Sequence, residues 1–168
     1  MRRAGAKFKL PRAKYGIFAG ILYFAAVAGF IAYVFMPKTA DASSEERLYI
    51  PSIGLIARVK NIERQGNQLI APDTIAGAYQ PTNHKTVIIG HSSTVFSNLS
   101  NAKDGEVITF DDHNYRISEI KILEKRLIDM DEIVSETSVN TVILMTCYGE
   151  PLGGQDYTHR LIITAEEI

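Results

Sequence analysis

The sequence contains one cysteine, Cys147, and its position indicates a nucleophile. Cys147 ends the apolar run 142–147, which reads as a buried strand, so the thiol is expected where a rigid strand meets a loop. A thiolate attacks carbonyl carbons well, but it needs a neighbouring base or cation to form near neutral pH. The alternative is a buried, inert cysteine that packs as a small hydrophobic residue.

His91 and Arg160 have the side-chain types that would assist such a thiol. His91 follows another apolar strand and Gly90, which allows close packing or an unusual backbone angle. Arg160 begins an apolar strand, where a guanidinium is costly unless it meets an anion or a carbonyl. Imidazole can act as general acid and base, and guanidinium can stabilise an oxyanion. Structural alternatives remain for both residues: a turn fixed by His91, and a salt bridge from Arg160 to Asp156, Glu166 or Glu167.

The neighbours of these residues are weaker candidates. Thr146 and Ser92 are candidates for substrate binding, although Thr146 is equally explained as a β-forming residue at a strand end. His159 competes with His91 as the general acid, but successive strand residues point to opposite faces, so His159 and Arg160 cannot both face the thiol. His84 and His113 lie in polar segments typical of solvated loops.

Short β-rich runs separated by turn residues predict an all-β fold after residue 46. Helical periodicity is weak, and the best short candidates are residues 95–101 and 130–136. An antiparallel β-barrel or sandwich is the most economical architecture. About eight strands are predicted, at residues 48–50, 53–59, 68–70, 86–89, 106–110, 115–123, 139–145 and 160–164.

The first part of the chain predicts a membrane anchor. Residues 16–36 carry no charge, and a helix of that length spans roughly 30 Å, the thickness of the hydrocarbon core. Residues 1–15 are basic and contain no acid, so we expect them in the cytoplasm and the rest of the chain outside. A cleavable signal peptide is the alternative, although its apolar core is usually shorter.

Residues 37–46 are small and polar, which is typical of a short linker, and residues 47–168 suffice for one domain. Beyond the basic segment the chain retains 12 basic and 19 acidic residues, a net charge of 12 − 19 = −7. This acidity argues against a nucleic-acid partner. The carboxylates Asp129, Asp131 and Glu132 leave weak cation binding open, but no metal site is predicted.

Several segments together resemble the sortases, membrane-anchored cysteine transpeptidases of mainly Gram-positive bacteria. The string ILMTC at 143–147, followed by RLIITA at 160–165, is similar to the signature of that family. The string VIIGH at 87–91 resembles its histidine strand, and the resemblance extends over about residues 47–166. It implies an eight-stranded sortase-like β-barrel with short helices, in which His91, Cys147 and Arg160 form the active site.

The resemblance also implies an activity. A sortase cleaves a sorting peptide resembling Leu-Pro-x-Thr-Gly through a thioacyl intermediate, then joins the surface protein to an amine of a peptidoglycan precursor or of a pilin lysine. No cofactor is implied. The expected location is the cell membrane, crossed once, with the catalytic domain outside the cell.

Two departures from the family pattern affect the substrate class. The histidine is preceded by NHKT at 83–86 and followed by Ser92 and Ser93, and the connections between elements are short. The chain therefore resembles a minimal or class D or E enzyme. Other classes remain open: a papain-like or L,D-transpeptidase-like cysteine enzyme, and a membrane-tethered adhesin or assembly module without catalysis.

Overall fold

The structure is a computed structural model that describes residues 46–154 and 156–168. These residues form ten strands, one short α-helix and three single turns of 3-10 helix. The strands are β1 Glu46–Ile50, β2 Leu55–Asn61, β3 Arg64–Gln65, β4 Gln68–Leu69, β5 Ala76–Thr82, β6 Lys85–Ile89, β7 Val107–Phe110, β8 His113–Glu124, β9 Thr141–Gly153 and β10 Asp156–Glu167. The helix α1 is Met130–Ile133, and the 3-10 turns are Pro51–Ile53, Leu99–Asn101 and Lys125–Leu127.

Eight of these strands close into a barrel in the order β1-β2-β5-β6-β9-β10-β8-β7, while β3 and β4 form a separate hairpin. Two pairings in the barrel, β2 with β5 and β6 with β9, are parallel. A parallel pair needs a crossover connection, and the hairpin β3–β4 lies in the first crossover. The second crossover carries β7, β8 and α1.

Alternation along the strands creates two apolar clusters, one on each face of the sheet. In β9, Val142 and Leu144 belong to the large cluster, whereas Ile143 and Met145 belong to a smaller one. The large cluster fills the barrel, with Leu48, Ile88, Phe96, Ile108 and Ile163 almost fully buried. The smaller one covers the outer face of the sheet and gathers apolar residues from the β3–β4 region and from residues 123–134.

The prediction of an eight-stranded barrel is confirmed, but three details of it are wrong. The barrel is mixed rather than purely antiparallel. The strand predicted at 68–70 forms β4 outside the barrel, and β5 takes its place. Strand β5 escapes sequence reasoning because four of its seven residues, AGAYQPT, are alanine, glycine or proline, which are depleted in strands. Packing requires a small residue there, since a Cβ on Gly77 would lie 2.9 Å from Ile62.

The third error concerns the segment that follows Cys147, where the sequence predicts that the strand gives way to a loop. Strand β9 continues to Gly153 and β10 begins at Asp156, so the two strands extend past the barrel as an antiparallel ribbon. A register shift interrupts the ribbon between Tyr157 and His159, beside Gly149. The φ of Gly149 is 88°, a value that strongly favours glycine.

The predicted helices are shorter than expected. Residues 95–101 form turns that end in one 3-10 turn, and α1 stops at Ile133 rather than at residue 136. The predicted membrane span, residues 16–36, lies outside the described residues. Within the part of the chain that the structure describes, none of the helices has the length and apolarity needed to cross a membrane.

Candidate active site

The parallel pairing of β6 with β9 brings the predicted histidine and cysteine to one edge of the sheet. Ile89, the last residue of β6, is level with Met145 of β9. His91 and Cys147 each follow two residues later, and residues two apart on a strand share a face. The backbone amide of Gly90 donates to the Met145 carbonyl at 3.3 Å, so the segment after β6 stays paired with β9 as far as the residue before His91.

Arg160 reaches the same place from the other side of β9. In the antiparallel β9–β10 pair, Arg160 is directly opposite Cys147, and His159 is opposite Tyr148. Directly opposed residues project to the same face of a sheet. Arg160 therefore shares the outer face with Cys147, whereas the neighbouring His159 bonds Thr158 through Nδ1 at 2.8 Å.

A groove of about 240 Å³ lies where the three strands meet, and it is lined by all three predicted catalytic residues. Cys147, His91 and Arg160 are each half-buried, so the groove is accessible from outside. Thr146 also contributes to its lining, but Ser92 does not. The remaining wall is apolar and includes Leu69, Ile70, Ala71, Ile89 and Met145.

A buried hydrogen bond joins the two strand ends beneath the groove. The Thr146 hydroxyl donates to the Gly90 carbonyl at 2.7 Å, and only 4% of Thr146 is exposed. Thr146 thus positions the cysteine strand against the histidine segment. Gly90 packs tightly here, because an added Cβ would lie 2.6 Å from Val95 Cγ1 and 2.8 Å from Phe96 Cδ2.

The backbone after β6 holds His91 in a compact turn. The His91 carbonyl accepts hydrogen bonds from the amides of Thr94, at 3.2 Å, and Phe96, at 3.0 Å. Phe96 is 1% exposed and belongs to the barrel core, so the turn is anchored in the interior. Ser92 is half-buried within this turn.

Arg160 is oriented by three acceptors on its own strand. One terminal nitrogen donates to the carbonyls of Tyr157 and His159, both at 2.9 Å, and the other donates to Asp156 at 3.0 Å. The salt bridge to Asp156 that the sequence offered as an alternative is therefore present, yet the guanidinium still lines the groove. Hydrogen bonds from Lys125 and then from Arg160 lower the pKa of Asp156 to about 2.

The two other histidines lie at the opposite end of β6. His84 Nδ1 is 2.8 Å from Asn140 Oδ1, and His113 Nδ1 is 2.6 Å from Glu167 Oε1. Both rings are exposed, in agreement with their prediction as solvated residues, and neither lines the groove at Cys147.

The acidic residues near α1 have structural partners. Asp129 caps the helix by accepting from the Asp131 amide at 2.9 Å, and Asp131 pairs with Arg64 at 2.7 Å. Across residues 46–154 and 156–168, we find no group of three or more His, Cys, Asp or Glu residues placed to hold a metal ion.

The groove continues past Arg160 along a stretch that sequence reasoning missed. A second depression, about 330 Å³ in volume, shares Leu69, Met145 and Arg160 with the first. Its far wall contains Ile128 and Met130. These residues lie far from the catalytic candidates in sequence, and no motif marks them. Their only sequence signal is apolarity within otherwise polar segments.

A closed barrel with a thiol, an imidazole and a guanidinium along one groove fits the class of cysteine transpeptidases. The sortase domain model matches residues 48–168, which is most of the chain. The chain belongs to the sortase family, whose members act on sorting signals outside the cytoplasm.

Solved structures of sortases share the fold at low sequence identity. Sortase A of Listeria monocytogenes is 18% identical with a TM-score of 0.56, covering 74% of this chain and 86% of that one. The sortase D5 transpeptidase of Clostridium perfringens is 22% identical with a TM-score of 0.57, covering 73% and 78%. Sortase C of Clostridium perfringens SM101 is 24% identical with a TM-score of 0.55, covering 73% and 68%. A search of the curated proteins finds no match.

Proposed function

We propose that this protein is a sortase in which Cys147 is the nucleophile, His91 the general acid and base, and Arg160 the oxyanion donor. The observation that carries the proposal is the single groove lined by these three residues, which come from separate segments of the chain. Residues from separate segments share a groove of this kind only because the barrel brings β6, β9 and β10 side by side.

The chemistry follows from the positions of these groups. The Cys147 thiolate attacks a peptide carbonyl, forming a C–S bond while the carbonyl oxygen becomes an oxyanion. The C–N bond then breaks as His91 protonates the departing amine, which leaves a thioacyl enzyme. An acceptor amine attacks this thioester, His91 takes its proton, and the thiolate leaves as the new amide forms. Transfer thus needs neither an oxidant nor a cofactor.

Arg160 can meet the oxyanion without releasing its own anchors. A guanidinium has five N–H donors, and the contacts to Tyr157, His159 and Asp156 occupy three of them. The Nε–H and one hydrogen of the second terminal nitrogen are therefore available to substrate. An anchored donor of this kind needs little reorganisation during the reaction, which is what makes oxyanion stabilisation effective.

The continuous groove suits an extended peptide that ends at Cys147. Leu69, Met145, Ile128 and Met130 offer apolar contacts for the side chains of a Leu-Pro-x-Thr-Gly-like signal, and Asn67, Gln68 and Lys125 add polar ones. The acceptor in this proposal is an amine of a peptidoglycan precursor or of a pilin lysine. Residues 16–36 anchor the enzyme in the cell membrane, with the basic residues 1–15 inside and the barrel outside.

The test of this function is transpeptidation by the full-length protein in detergent. A library of sorting peptides is supplied with a small amine acceptor, and products and thioacyl adducts are measured by mass spectrometry. We expect ligated product and an adduct on Cys147, and neither from Cys147→Ala. Ser93→Ala is the matched control, because Ser93 is exposed on the turn beside the site and does not line the groove.

Failure of the intact protein to form any product or adduct would favour a non-catalytic adhesin or assembly module. The mass of the protein recovered from its host membrane tests the anchor separately. Loss of about the first 40 residues would identify a cleaved signal peptide instead.

A further inference from the structure

Lys85, the first residue of β6, is a buried cation that the catalytic chemistry does not use. It is 5% exposed, and among the described residues the other buried polar side chains are the neutral Thr141 and Thr146. Burial costs an ammonium its hydration and lowers the pKa of Lys85. A residue that carries this cost needs a compensating contact.

Lys85 contacts residues 128–134, a segment that forms one wall of the peptide groove through Ile128 and Met130. Its Nζ donates to the Ile133 carbonyl at 3.1 Å. Ile133 is the last residue of α1, and the final carbonyls of a helix have no partner within the helix. Lys85 therefore ties β6, the strand that leads to His91, to the C-terminal end of α1.

The segment also packs on the outer face of the sheet through the partly buried Ile128, Ile133 and Val134. Helix α1 has four residues, too few to be stable without tertiary contacts. An open depression of about 530 Å³ lies beside these contacts, with Lys85, Ile133 and Ile143 in its lining. The hydrogen bond from the Lys85 ammonium adds a charged, directional contact to this apolar packing at the side of the segment that faces the depression.

A second tie, between Arg64 and Asp131, is weaker. The two groups are 2.7 Å apart, but the Asp131 side chain is 78% exposed. Exposed ion pairs contribute little to stability and are screened by salt. The buried amine of Lys85 thus makes the stronger of these two attachments.

We propose that Lys85 is a positioning residue that acts through the Ile133 carbonyl to hold Ile128 and Met130 against the groove, and so sets the affinity for the donor peptide. This role rests on the proposed function, because it assigns the groove to a sorting peptide. Lys85 contacts neither the substrate nor the reacting atoms; it fixes the wall that the peptide meets on its way to Cys147.

The experiment compares Lys85→Met, Lys85→Gln and Lys85→Arg in the full-length protein, with Lys60→Met as the matched control. Lys60 is exposed on β2 and lies outside the groove, so its replacement removes a charge without touching α1. Amide hydrogen exchange over residues 128–134 is measured first, since it requires no substrate. We expect exchange there to quicken by about tenfold in Lys85→Met, with little change in the core strands.

Kinetics with a peptide from the library, corrected for active enzyme by titration of Cys147, provide the second measurement. We expect KM to rise about three- to tenfold in Lys85→Met while kcat stays within about twofold, and Lys85→Arg to recover much of the loss because it keeps a charged donor. Lys85→Gln, with a shorter neutral donor, is expected to be intermediate and serves if Lys85→Met does not fold.

Three results would overturn the role of Lys85. These are unchanged exchange at residues 128–134 in the Met and Gln variants, an unchanged KM in those variants, or a rise in KM of the same size in Lys60→Met. A general loss of stability would lower the active fraction and leave KM as it was. If the parent protein turns over no peptide, the proposed function fails, whereas the exchange measurement still tests the tie to α1.

Discussion

Arg160 and Cys147 are directly opposed residues in the antiparallel β9–β10 pair. Such residues have Cβ atoms about 4.5–5.5 Å apart, so the guanidinium and the thiol are held together by backbone hydrogen bonds rather than by loop conformation. His91 is held less directly, through the parallel β6–β9 pair and the turn that follows it. Arg160, the proposed oxyanion donor, is accordingly more rigidly placed than His91.

Replacement of Arg160 by lysine tests whether this rigidity matters. A lysine keeps the positive charge but loses the planar group that contacts Tyr157, His159 and Asp156 together. We expect kcat to fall by roughly 10²–10³-fold, as for removal of an oxyanion donor, with KM little changed. Single-turnover formation of the thioacyl adduct measures the effect. Activity within a few-fold of the parent would show that charge alone suffices.

The Asp156 carboxylate predicts how Arg160 responds to pH. Its folded pKa of about 2 lies below its ordinary value of 3.8. The stabilisation that it provides is therefore fully present above pH 3.8 and is lost as pH falls through about 2. We expect the anchor of Arg160 to stay intact throughout the pH range of an activity assay.

Asp156→Asn is the corresponding variant. It should lower kcat/KM by a similar factor at every pH from 5 to 8, because Asp156 does not titrate there. The pH profiles of parent and variant, measured with the same peptide, provide the check. A difference that appears only at one end of this range would contradict the assignment.

The hydrogen bond from Thr146 to the Gly90 carbonyl predicts a loss of both stability and rate when it is removed. Thr146→Val keeps the shape but leaves a buried carbonyl without this donor, which costs about 1–3 kcal/mol. We expect a matching fall in the free energy of unfolding in denaturant titrations, together with slower adduct formation. Thr158→Val, on the ribbon outside the barrel, is a useful comparison. Unchanged stability in Thr146→Val would show that water or another donor replaces the hydroxyl.

Gly90→Ala tests the packing beneath His91. Its added methyl group would lie 2.6 Å from Val95 and 2.8 Å from Phe96, and neither side chain can move freely in the core. Overpacking of this kind costs about 1–3 kcal/mol. We expect a lower melting temperature and a loss of kcat, because the turn that holds His91 must shift. Gly66→Ala is not a suitable control, because the φ of Gly66 is 60° and an alanine there would be strained. Ala71→Gly removes a methyl group from the groove wall and so tests the opposite change, a loss of side-chain volume. Parent-like melting and kcat in Gly90→Ala would contradict the tight fit.

The sequence by itself determined the β-rich class, most of the strands and the residue types at the three strand ends. These features are local: apolar runs, turn residues, and the chemistry of one thiol, one imidazole and one guanidinium. The run at 142–147 can be recognised as a strand from its own residues alone. The family resemblance added the barrel.

Only the tertiary structure decided how the strands pair, and the site depends on that pairing. Whether β6 and β9 run parallel or antiparallel depends on the 51 residues between Ile89 and Thr141, and parallel pairing is what brings His91 and Cys147 to the same edge. The sequence likewise could not predict that Ile128 and Met130 line the groove, or that Lys85 bonds the Ile133 carbonyl, because these contacts join residues distant in sequence. Burial and hydrogen bonding between such residues follow from the folded arrangement, which no local pattern encodes.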